Sequence, residues 1–81
     1  MADRARSCRM AGDIIRKARL ERGLTQAELA SRMNSRQATV SKLEAGEPAT
    51  RLHVFFDALT ALGLEAVLSP RGKGGDIADL F

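Results

Sequence analysis

At 81 residues the chain is one domain, small enough that burying its apolar surface is a marginal matter and a partner chain is expected to help. The single cysteine, Cys8, excludes an intrachain disulfide, and no apolar run suits a signal peptide or a membrane span, so a cytoplasmic protein is expected. The net charge of +3 is uneven: Met1–Gly46 carries ten Lys/Arg against five Asp/Glu, whereas Glu47–Phe81 carries three against five, which suits a front half that meets phosphate and a back half that meets something else.

Residues 1–10 read as a flexible basic arm, because Arg4, Arg6 and Arg9 come without a periodic apolar face. Such an arm can enter a DNA minor groove, although a solubilising tail is the plainer reading. Asp13 is expected to cap the first helix, whose apolar stripe is Ile14, Ile15, Ala18 and Leu20 and whose end is Gly23. Thr25 and Glu28 have the spacing of a capping box, in which each side chain satisfies the other's backbone N–H. Ala27, Leu29, Ala30 and Met33 then recur at helical spacing until Asn34, which tolerates the left-handed backbone that ends a helix. Ser35 is a suitable cap for a second short helix anchored by Val40 and Leu43 and closed by Gly46.

The loop Gly46–Thr50 contains Pro48, which biases Glu47 away from helix. Thr50 is expected to cap a helix whose core stripe is Leu52, Phe55, Phe56, Leu59 and Leu62, widened by Val54, Ala58 and Ala61 and closed by Gly63. Leu64–Ser69 changes period, placing Leu64, Ala66 and Leu68 on one face of a strand. A lone strand leaves its backbone groups unpaired, so pairing with the same strand of a second molecule is expected, antiparallel in a two-fold dimer, with Leu64, Ala66, Val67 and Leu68 at the interface. Pro70–Gly75 is a breaker-rich linker without Walker spacing. Asp76–Phe81 is either filler or a linear element that docks through Ile77, Leu80 and Phe81 or marks the chain for degradation. Residues 11–69 thus form the domain and 70–81 a flexible C-terminal tail.

Between Thr25 and Glu44 two short helices meet at a tight turn, and the outer face of the second carries Arg36, Gln37, Ala38, Ser41 and Lys42. A guanidinium and a carboxamide are the groups that pair bidentately with guanine and adenine edges, Ala38 can touch a thymine methyl, and small Ala38 and Ser41 allow close approach. The plain alternative is a solvated face, which the adjoining turn disfavours. Cys8 reads as an incidental thiol and His53 has no second ligand type nearby, so neither a metal site, a cofactor site nor a catalytic constellation is expected, and an enzyme is not.

The pattern Thr25-Gln26, Leu29-Ala30, Asn34, Leu43-Glu44 and Gly46 resembles the helix-turn-helix of the phage-repressor (Cro/C1, Xre) family over roughly Gly12–Leu62, with Asn34 where the family usually has glycine and Ser35 where an apolar residue is common. The resemblance implies an all-α, four- to five-helix repressor-like domain, to which the C-terminal strand adds pairing across a homodimer. It implies a structural ion pair between Arg19 and Glu44, phosphate contacts from Gln26 and, on the far side, Thr50 and Arg51, and double-stranded operator DNA as ligand. From Leu24 to Ser69, QATVSKLE, the acidic proline loop, the adjacent phenylalanines and the terminal strand are similar to the HipB-type antitoxins, which implies autoregulation and a HipA-like kinase toxin as partner. A stand-alone regulator without a toxin and a protein-interaction module are the alternatives.

Overall fold

The computed structural model describes residues 3–71, which form four helices: α1 (Cys8–Glu21), α2 (Gln26–Arg32), α3 (Gln37–Glu44) and α4 (Leu52–Leu62). Each ends in one closure, a left-handed residue (Gly23, Asn34, Gly46 or Gly63) followed by a backbone N–H that reaches back to the last turn. At the α2–α3 turn that residue is Asn34, with φ 55°, and Ser35 N–H donates to Ala30 O at 2.8 Å.

The helix starts differ from expectation at three points. α1 begins at Cys8, with Ser7 Oγ accepting from Met10 N–H at 3.1 Å, so Asp13 is an exposed interior residue, not a cap, and Arg9 belongs to the helix and not to an arm. The N-cap of α3 is Arg36, which makes no side-chain cap bond, because Ser35 is used in closing α2. The N-cap of α4 is Arg51. Thr50 instead donates its backbone N–H to Glu47 O at 3.0 Å within the preceding turn. The capping box on α2 forms as its spacing requires: Thr25 Oγ1 accepts from Glu28 N–H at 3.0 Å and Glu28 Oε1 accepts from Thr25 N–H at 2.9 Å. These bonds hold the Glu28 carboxyl below its ordinary range.

One core joins all four helices. Ile15 and Ala18 of α1, Leu29, Ala30 and Met33 around α2, Val40 and Leu43 of α3, and Val54, Ala58, Leu59 and Leu62 of α4 pack together with Leu24. Ile15, Leu29 and Val40 are fully enclosed, each side chain contributing roughly 1.5–3 kcal/mol by leaving water. On α1, Leu20 faces solvent and Arg19 is buried in its place. α4 is rotated from the expected stripe, with Val54 and Ala58 at its centre and Leu52 and Phe56 exposed. Phe55 is half-buried and meets Phe56 edge-on, ring centroids 5.6 Å apart. The rotation follows from helical spacing: Val54, Ala58 and Leu62 are each four apart, so small Ala58 lets α4 sit close while the bulky phenylalanines fall to the side.

α1 crosses the end of α3 at unusually short range. A Cβ on Gly12 would lie 2.5 Å from Leu43 O and 2.7 Å from Glu44 O, and one on Gly46 would lie 2.5 Å from Arg9 Cα. Only glycine fits at either place, and Gly46 also needs its φ of 78°. These contacts set the position of α3 against α1. Among the described residues there is no strand: Glu65–Pro70 is without regular structure, and no helix is long and apolar enough to cross a membrane. The tail from residue 72 onward, including Asp76–Phe81, lies outside the described residues.

Candidate nucleic-acid interface

The α2–α3 unit is held from within by a buried ion pair. Arg19 and Glu44 are 7% and 6% exposed, and the guanidinium meets the carboxylate as a fork, Nε donating to Oε2 at 2.7 Å and Nη2 to Oε1 at 3.0 Å. Arg19 Nη1 also donates to Leu24 O at 2.8 Å, so the α1–α2 turn is tied to the same group. The bond to Glu44 outweighs the burial that opposes it and holds the guanidinium above its ordinary pKa. Two charges this deeply enclosed are stable only as a satisfied pair: removing one would leave the other buried alone, at a cost of about 3–5 kcal/mol.

From this pair a hydrogen-bond chain runs outward to the surface. Gln26, at the first position of α2, donates from Nε2 to Glu44 Oε1 at 3.2 Å, and its Oε1 accepts from Gln37 Nε2 at 3.4 Å. Gln26 therefore turns its carboxamide inward as a brace, a role the sequence did not signal. Any phosphate contact is left to its remaining N–H groups. Gln37 keeps its carbonyl oxygen and one N–H free, which is the donor-acceptor pair that adenine N6 and N7 require.

Arg36, Gln37, Ala38, Ser41 and Lys42 are all exposed. Gln37 and Ser41, and Ala38 and Lys42, are each four apart on one side of α3, while Val40 and Leu43 are buried on the other. The first turn of α3 has no acidic residue to repel a phosphate, and Lys42 stands in the last. On the far side of α3, Arg51 is exposed at the start of α4. Thr50 does not accompany it, because its hydroxyl oxygen is buried with no hydrogen-bond partner among the described residues. The five expected residues are thus all exposed, four of them on one side of α3 and Arg36 at its N-cap, whereas the Thr50 hydroxyl is buried. His53 and Asp57 pair weakly at 3.4 Å on the exposed side of α4, and the described residues contain no cluster of three groups able to hold a metal.

A helix-turn-helix family model matches residues 15–68. The chain belongs to the helix-turn-helix family. No curated protein matches it by sequence. Among solved structures, a HipB variant in complex with the O2 20mer is 30% identical over 89% of this chain and all of that one, with a TM-score of 0.83. HipB with the O4 20mer is 30% identical over 88% of this chain and all of that one, with a TM-score of 0.82. A HipA–HipB–O2–O3 complex gives 30% identity over 88% and 100% of the two chains, with a TM-score of 0.81.

Proposed function

We propose that this chain is a sequence-specific DNA-binding repressor of the HipB type, which acts as a homodimer, represses its own operon and binds a HipA-like kinase toxin. The observation that carries the reading is the exposed face of α3, braced through Gln37, Gln26 and Glu44 to the buried Arg19. A side chain held in place before binding loses less freedom when it meets a base. Each protomer lays α3 in a major groove, with half-site centres about one helical turn, ~34 Å, or a multiple apart. Arg36, Gln37 and Lys42 read base edges, Ala38 meets a thymine methyl, and Ser41 reaches a base or phosphate. Gln26 and Arg51 contact backbone phosphates on either side, and repression follows by occlusion.

The second copy is supplied by the C-terminal segment. Leu64 is half-buried, Ala66 is exposed, and Val67 and Leu68 are 78% and 99% exposed. Pairing Leu64–Leu68 antiparallel with its twin satisfies their backbone groups and covers the apolar side of α4. The toxin reading is supported by the likeness to HipB, which one similar structure holds together with HipA.

Selection from a randomised duplex pool tests the DNA reading: a two-fold symmetric site is expected, and no enrichment would contradict it. Native pull-down with mass spectrometry tests the partner: recovery of a kinase-like protein is expected. Recovery of the chain alone would leave a stand-alone regulator.

A further inference from the structure

The N-terminal segment before α1 is not directed away from the domain. Asp3 reaches Lys17 on α1, Oδ1 3.6 Å from Nζ, so the segment folds back along the helix. A groove of about 670 Å³ runs beside it. Asp3, Ala5 and Ser7 line it together with Leu64–Leu68 and with Ile14, Phe55 and Leu59. A second hollow brings Arg4, Arg6 and Arg71 together with the chain's own Glu65, Val67 and Leu68.

Beyond Leu64, whose N–H donates to Leu59 O at 2.8 Å, the segment from Glu65 to Arg71 makes no backbone hydrogen bond to the described residues. Its donors and acceptors therefore need a partner, and a second copy of the same segment is the one the proposed dimer supplies. We propose that the segment Asp3–Ser7 is itself part of the dimer interface: it walls the groove in which the second copy's C-terminal strand lies, and Arg4 and Arg6 face the partner's Glu65. This rests on the strand-paired dimer proposed above. Two-fold antiparallel pairing of Leu64–Leu68 fixes where that carboxylate arrives. If the axis passes through Ala66, the partner's Glu65 stands opposite Val67. If it passes between Ala66 and Val67, the carboxylate stands opposite Leu68. Both residues share their hollow with Arg4 and Arg6, so in either register the partner's carboxylate joins the chain's own Glu65 beside two exposed guanidinium groups. The basic segment serves dimerisation, and the DNA-reading face of α3 does not need it.

Sedimentation equilibrium of the full chain tests this. Exchanging both cations, Arg4→Glu with Arg6→Glu, is expected to weaken the dimer about tenfold with helical circular dichroism unchanged, since both precede the first helix. Mixing that chain with one carrying Glu65→Arg is expected to restore dimerisation as a heterodimer, because each interface then again has one cationic and one anionic side. An unchanged dimer constant in the Arg4/Arg6 variant overturns the proposal, and so does a weakened dimer that mixing fails to restore. A monomeric wild-type chain would overturn the strand-paired dimer as well, which separates failure of the interface from failure of this wall.

Discussion

The two ends of the domain treat their polar and apolar groups in opposite ways. Around α2 and α3 the buried charges and the core are met inside the chain: the buried Arg19 and Glu44 satisfy each other, the start of α2 is closed by a reciprocal box, and Val40 and Leu43 are enclosed. Around α4 and the segment after it, Leu52, Phe56, Val67 and Leu68 face solvent and the backbone from Glu65 is unpaired among the described residues. The front is finished as a monomer, so what it exposes is free to read a ligand. In the dimer proposed above, the back is finished by a second copy. Recognition and assembly are then separated by which groups the fold leaves open.

The largest expected effect lies at the ion pair. Arg19→Ala is expected to destabilise the fold by about 3–5 kcal/mol in chemical denaturation, whereas Arg19→Met combined with Glu44→Leu should come close to neutral, because no charge is then left buried alone. Next is Gly12→Ala, which places a methyl group against the Leu43 and Glu44 carbonyls and should cost about 1–3 kcal/mol by the same measurement. Thr25→Ala removes one half of the capping box and should cost about 1 kcal/mol. Smaller still is a pH effect. Because the Glu28 carboxyl titrates below its unfolded value, the box contributes fully above that value and loses its contribution as pH falls through the lowered one. The denaturation midpoint of Glu28→Gln should therefore lack that acid-side decline. At the other end the effects invert: Leu68→Asp should change monomer stability by less than about 0.5 kcal/mol yet abolish the dimer in sedimentation.

The helix-turn-helix was legible because its signals are local. The Thr25–Glu28 spacing, the left-handed Asn34 and the glycines after α1, α3 and α4 each act within a few residues, and the exposed side of α3 follows from helical spacing alone. What escaped the sequence depends on contacts between distant elements. The rotation of α4 is set by how closely Ala58 approaches the core, and the need for glycine at position 12 comes from α3 crossing α1. The inward turn of Gln26 is of the same kind, since it requires Glu44 and Gln37, 18 and 11 residues away, to arrive beside it. The displaced caps have a nearer cause. Ser35 and Thr50 have side chains suited to an N-cap, but each is drawn into the preceding turn, which moves the cap one residue on.

In the proposed function Gln37 reads a base from a braced position, and binding titrations of the Gln37→Ala chain test that most directly. Against a duplex carrying the selected site, the variant is expected to lose about 1–3 kcal/mol of affinity, with its binding to an unrelated duplex and the salt dependence of that binding unchanged. Full affinity for the selected site with an unaltered salt slope would contradict the assignment of α3 as the reading helix.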